Sequence, residues 1–203
     1  MNRTAAMREA FATIYREDRW THGSGPGAVP DATIEYRAFL ARFMEANAVC
    51  SVTDLGCGDW QSSRLIDWSR VRYIGLDIVP SIVDRNIQLY AAPGIEFRLF
   101  RSVNDLPGGD LLIAKHVLQH LPNDTVAEYL AVVTSRYRYI VLTDAIEPVE
   151  HANTDIGFGG WRPLRLERAP FNARGAVIFT YFTQYGSHFW KSGAFLLIGE
   201  TSG

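Results

Sequence analysis

The chain has 203 residues, 47% of them hydrophobic, enough to bury one core of ordinary size and too few for a second full domain. Its 20 Lys and Arg nearly balance 22 Asp and Glu, for a formal charge of −2. No basic field is therefore available to draw a phosphate backbone, which argues against a nucleic-acid partner. The two cysteines, Cys50 and Cys57, have neither disulfide-framework nor zinc-type spacing and suit a reduced interior. Charges interrupt the N-terminal MNRTAAMREAFATIYRED, so it lacks the apolar run of a secretory signal, and no stretch approaches the roughly 20 apolar residues of a membrane span. A cytoplasmic protein without a membrane partner is expected.

In chain order, residues 4–17 place Met7, Phe11, Ile14 and Tyr15 at helical spacing. THGSGPGAVP (21–30) is a loop, and Asp31 starts a second helix with Ile34, Ala38, Phe39 and Phe43 on one face. A strand follows at 51–55, then a short helix near 61–68, a strand at 71–78, a helix from about Ser81 to Tyr90 and a strand at 94–100. DLLIAKH (110–116) reads as a buried strand, Asn123 or Asp124 caps a helix to about Tyr137, and RYIVLTDA (138–145) is a further strand. This alternation predicts an α/β fold, a Rossmann-like three-layer sandwich with a seven-stranded, mainly parallel sheet covered by helices. After an aperiodic segment from 146, AVIFTYFTQ and GAFLLIGE form a hairpin across a short polar turn, so the sheet should end in an antiparallel strand. The aromatic runs FTYF and HFW are read as core and hairpin packing without chemistry.

The most informative stretch is SVTDLGCGDW (51–60), a β-branched strand that breaks into Gly56-Cys57-Gly58. In a doubly wound sheet the ligand sits beyond the carboxyl ends of the strands, and glycines there remove the Cβ atoms that would block its approach. A nicotinamide fingerprint needs a third glycine, where this chain has Trp60 and Gln61. Asp54, just before the turn, would repel a pyrophosphate and attract an ammonium group.

With these residues in view, the sequence resembles the class I S-adenosylmethionine-dependent methyltransferases, small bacterial members included, over about residues 50–145. VTDLGCGDW matches their strand-turn motif and YIGLDIVPSIVDRN the strand that follows. A mainly parallel sheet closed by a reversed strand fits the same architecture. The resemblance implies S-adenosyl-L-methionine as cofactor and one methyltransferase domain. That domain divides into N-terminal helices and a lid loop (1–47), a cofactor-binding core (48–145), and an acceptor-side insert with the hairpin (146–203). It further implies that Asp77, about twenty residues after the turn, holds both ribose hydroxyls, that Ile78 lies beside the adenine, and that Lys115 and His116 lie beside the sulfonium. Asp54, Gly56, Gly58 and Asp59 complete the cofactor turn. Two positions depart from the family: Trp60 replaces the third glycine, so its ring turns away or walls the pocket, and the third strand lacks an acid, leaving Ser102, Val103 or Asn104 to read the adenine.

Methyl transfer to a hydroxyl needs orientation, desolvation and a base. His116 and Asp144 are the leading base candidates, with His151 and Asp155 behind them; Asp144 reads equally as a satisfied cap. The absence of an Asn/Asp-Pro-Pro-aromatic stretch after the fourth strand argues against nucleobase amino groups. The expected acceptor is a small polar metabolite or saccharide, O-methylated or, as an alternative, N-methylated. A non-catalytic cofactor-binding module is the reading from another class. Trp20 belongs either to a mobile connection or to a lid. His116 and His120, four apart, read as packing rather than as metal ligands. In the insert NTDIGFGGWRPLRLERAPFN, polar Asn153 and Asp155, flat Trp161 and the planar fork of Arg162 are expected to contact the acceptor together with His120, and Arg162 suits an anionic group. The competing reading pairs Arg162 at the surface with Asp155 or Glu167.

Overall fold

The computed structural model describes residues 3–185 and 188–200. Seven strands form one sheet in the order β3-β2-β1-β4-β5-β7-β6: β1 (Ser51–Leu55), β2 (Arg72–Asp77), β3 (Ile95–Leu99), β4 (Gly109–Lys115), β5 (Tyr137–Ala145), β6 (Gly175–Tyr185) and β7 (His188–Ile198). The first five run parallel and β7 lies antiparallel to both β5 and β6, as expected. The helices are α1 (Arg3–Arg16), α2 (Ile34–Ala46), α3 (Pro80–Tyr90) and α4 (Asn123–Val133). None of the described helices is long and apolar enough to cross a membrane.

The two faces of the sheet carry separate cores, because alternate residues of a strand point to opposite sides. Along β4, Leu112 and Ala114 join the cluster built with Met7, Phe11 and Ile14 of α1 and Val126, Tyr129 and Val133 of α4. Leu111 and Ile113 join the other, with Tyr36, Leu40 and Met44 of α2. Arg3 ties α1 to α4 through Asp124 at 2.6 Å.

Three local expectations change. The helix near 61–68 is only a 3₁₀ turn at Ser63–Leu65. Ser63 turns its hydroxyl to Asp54 and its carbonyl to Trp68 Nε1, side-chain bonds that compete with a helical ladder. The helix after Asn123 stops at Val133 rather than near Tyr137, since Tyr137 already pairs with Gly109. The last strand starts at His188, five residues before the expected Gly193, and runs past the end of its β5 partner. The turn itself, Gly186 and Ser187, lies outside the described residues.

Candidate functional site

A cavity of about 570 Å³ opens at the carboxyl ends of β1, β2 and β4. Its floor on one side is the glycine turn. The amides of Gly56 and Cys57 both donate to the Leu76 carbonyl, at 2.7 and 3.0 Å, which anchors the turn to the end of β2. Gly56 and Gly58 adopt φ of 71° and 55°, the left-handed region that disfavours other residues. A Cβ on Gly58 would stand 2.2 Å from Ser24 Oγ, and one on Gly56 would stand 2.5 Å from Val117 Cγ2.

Three carboxylates surround this turn. Asp77 is buried, with Oδ2 accepting from the Gly58 amide at 3.0 Å and Oδ1 from the Val79 amide at 2.9 Å. Burial lifts its pKa to about 6 even though those amides favour the charged form. Each oxygen keeps a lone pair for a further donor. Asp54 borders the cavity while its Oδ2 receives Tyr73 Oη at 2.6 Å and Ser63 Oγ at 2.8 Å; burial raises its pKa as well. Asp59 accepts Ser24 Oγ at 2.7 Å and Gln61 Nε2 at 2.6 Å, and its own amide donates back to Ser24 Oγ at 2.9 Å. Ser24 also contacts Tyr15 Oη at 2.8 Å. The 21–30 loop is thereby latched across the glycine turn, and it covers the cavity from the α1 side with Trp20, Gly25 and Gly27.

The opposite half of the cavity lies toward β4 and β7. Burial and the coulombic pull of its neighbours act in opposite senses on Lys115, and burial wins, lowering its pKa to about 8. Its Nζ donates to the Gly27 carbonyl and sits 3.4 Å from His116 Nδ1. An ammonium offers only hydrogens, so Nδ1 is the bare nitrogen and Nε2 carries the proton that it donates to Ser192 Oγ at 3.0 Å. Burial first, and the Lys115 charge second, push the His116 pKa well below its ordinary value, so the imidazole is neutral. His120 is neutral too, its pKa lowered to about 4 chiefly by burial. Its Nδ1 donates to the Gly160 carbonyl at 2.6 Å, and its Nε2 therefore accepts from Gln119 Nε2 at 3.2 Å. Trp20 covers the His120 ring at a centroid distance of 4.9 Å. Trp161, Phe189 and Trp190 complete this wall.

No protein-family model matches the chain, and no curated protein matches it in sequence. Its backbone does match solved structures. One is 1,6-didemethyltoxoflavin-N1-methyltransferase from Burkholderia thailandensis, solved with that acceptor and S-adenosylhomocysteine, at a TM-score of 0.71 and 17% identity over 98% of this chain and 88% of that one. Another is magnesium protoporphyrin IX methyltransferase from Synechocystis PCC 6803 with bound SAH, at 0.69 and 15% identity over 97% and 99%. This is the class I methyltransferase fold.

Against that fold, several sequence-derived assignments move. Of the two readings of Trp60, as a cofactor-pocket wall or as a ring turned away, the structure has the second: at φ 62° it occupies the third-glycine position with its ring on the far face, 5.0 to 5.6 Å from Tyr90, Phe97 and Tyr73. Ser102 and Val103 lie outside the cavity lining, because Ser102 caps the Val103–Asp105 turn and Val103 is buried in the core; Ile78 and Phe100 line the wall there instead. Asp144 is buried beneath the wall rather than lining it, accepting from the Gln119 amide at 3.1 Å, and burial raises its pKa to about 7.

The largest correction concerns the insert. Arg162 is 2% exposed and donates to the carbonyls of Leu118 and Leu121, both at 2.8 Å, and to Asn123 Oδ1 at 3.0 Å. It braces the Leu118–His120 turn from behind and reaches neither an acceptor nor Glu167, which pairs with Arg165 at 2.6 Å. Asp155 accepts the Asn123 amide at 2.8 Å and so caps α4. Asn153 bonds the carbonyls of Arg165 and Ala169, and exposed His151 is likewise away from the cavity. Of the insert, Trp161 alone lines the cavity.

Sequence reasoning passed over Tyr15, Ser24, Gln119, Phe189 and Trp190. The run HFW was the available signal for the last two: three aromatics in a row exceed what an alternating half-buried strand uses.

Proposed function

We propose that this protein is an S-adenosylmethionine-dependent methyltransferase that O-methylates a small molecule. One observation carries the reading: a turn whose Gly56 and Gly58 lack Cβ atoms stands beside Asp77, whose two oxygens are aimed by backbone amides and keep lone pairs for a pair of hydroxyls. That donor and acceptor set fits the ribose of the cofactor, with Ile78 and Phe100 as apolar walls for its adenine and Asp54 as the carboxylate for its ammonium group. When bound, the cofactor would supply an electrophilic methyl carbon on a sulfonium sulfur able to keep the electron pair of the broken bond.

The remaining work belongs to the chain. The latched 21–30 loop excludes water over the turn, which strengthens every electrostatic contact beneath it. His116, neutral, takes the proton of an acceptor hydroxyl on Nδ1 as the Lys115 ammonium moves from that nitrogen to the acceptor oxygen, while Ser192 holds the ring and fixes its tautomer. The Lys115 ammonium beside it favours the developing oxyanion. A hydroxyl must lose its proton as the new bond forms, and a base beside an ammonium assists that loss, so this pair supports oxygen as the nucleophile.

Calorimetry with S-adenosylmethionine and S-adenosylhomocysteine tests the cofactor reading, and saturable binding of both is expected where NAD does not bind. Incubating metabolite extracts with the protein and an isotopically labelled methyl donor, followed by mass spectrometry, tests turnover. Cofactor binding without any labelled product would instead favour a non-catalytic module.

A further inference from the structure

We infer that the acceptor is a planar aromatic molecule without an anionic group, rather than a saccharide or a phosphorylated or carboxylated metabolite. The inference rests on the methyltransferase reading and names the substrate class of the same cavity. The sheet order divides the cavity, with the cofactor half over β1 and β2 and the other half over β4 and the overhanging end of β7. In that second half rings predominate: Trp20, Trp161, Phe189 and Trp190 lie beside the imidazoles of His116 and His120, with Lys115, Val117 and Gln119 among them.

Most polar groups of this half are already engaged within the protein. Both nitrogens of His120 have partners, Nε2 of His116 holds Ser192, Nδ1 of His116 accepts from Lys115, and Lys115 Nζ holds the Gly27 carbonyl as well, with one hydrogen to spare. A saccharide buries several hydroxyls, and each one left unpaired against a ring costs about 1–3 kcal/mol. An anionic acceptor meets a further obstacle. Arg162, the guanidinium nearest in sequence to this wall, is locked behind it on three oxygens, so a carboxylate or phosphate meets only the partly engaged Lys115 ammonium, against Asp54, Asp59 and Asp77 on the facing half.

A planar aromatic acceptor uses what is present. Trp161 and Phe189 are 51% and 61% exposed although they border the cavity, so a flat ring laid on them removes apolar surface from water. Phe182, itself 52% exposed, stacks behind Phe189 at 4.7 Å and stiffens that rim. The single hydroxyl such a molecule carries needs one polar partner, and the Lys115 ammonium supplies it with the hydrogen it does not spend on the Gly27 carbonyl and His116 Nδ1.

The test is calorimetry and tryptophan-fluorescence titration of the protein saturated with S-adenosylhomocysteine, with 2-naphthol, glucose and glucose 6-phosphate as probes. Saturable binding is expected for 2-naphthol alone. Trp161→Ala and Phe189→Ala should each weaken it by about fivefold to tenfold, the loss of one aromatic contact, and leave S-adenosylhomocysteine affinity unchanged. Tighter binding of either sugar overturns the inference, as does 2-naphthol binding that is absent or indifferent to both substitutions. If S-adenosylhomocysteine binds and 2-naphthol does not, only the acceptor class is wrong. If S-adenosylhomocysteine itself fails to bind, the methyltransferase reading falls and takes this inference with it.

Discussion

The two halves of the cavity are built on different principles. The β1–β2 half is local: a turn, the strand end beside it and the amides of both, with Asp77 and Gly58 bonded across 19 positions of sequence. The β4–β7 half is a convergence of remote segments, in which Lys115 reaches Gly27 across 88 positions and His116 reaches Ser192 across 76. A local site tolerates change elsewhere but fails at single positions. A convergent site spreads its dependence over scaffolding residues that never touch a ligand.

The sharpest way to break this contrast is Gly56→Val. The branched side chain meets Val117 and forces φ 71° on a residue that resists it, so cofactor affinity should fall by about 100-fold or more, with a loss of about 1–3 kcal/mol in stability. Retained affinity in calorimetry would place the cofactor elsewhere. Valine here also pushes on the β4 side through Val117, so the fold itself is expected to loosen.

Asp77→Ala comes next, with S-adenosylhomocysteine binding weakened about tenfold or more through loss of a charged acceptor. The same carboxyl predicts a pH dependence. Its pKa in the free protein is about 6, and only the ionised form accepts from two hydroxyls, so affinity should hold above pH 7 and decline on acidification through about 6. Asp77→Asn should abolish that decline. A wild-type affinity flat from pH 7 to pH 5 would refute the role.

Arg162→Ala probes the other half. Removing a guanidinium that satisfies three buried or half-buried oxygens should cost about 3 kcal/mol of stability, read by denaturant melts, while S-adenosylhomocysteine affinity changes by less than about twofold. A large loss of cofactor affinity would show that the halves are not separable. The smallest effect is expected for Ser24→Ala, which removes the latch between loop and turn. One hydrogen-bonding group worth about 1 kcal/mol should speed S-adenosylhomocysteine release by about fivefold in stopped-flow measurements. No change in that rate would reduce the loop to a connection.

The sequence by itself determined the mainly parallel sheet, its reversed last strand and the glycine turn with Asp54 before it, and the family resemblance added Asp77. These features depend on period-two alternation, turn chemistry and short separations, all of which are properties of contiguous residues. Tertiary structure alone decided where Arg162 points. Its partners are backbone carbonyls more than 40 positions away, and a carbonyl is present at every residue, so composition carries no trace of the pairing. The same holds for Ser24 over Asp59, for Asp155 capping a helix from outside it, and for Phe189 and Trp190, which reach the cavity because β7 outruns β5. Local chemistry is written in neighbouring residues, whereas a wall assembled from Trp20, Lys115 to His120, Trp161 and the end of β7 exists only once the core has packed and brought them to one edge of the sheet.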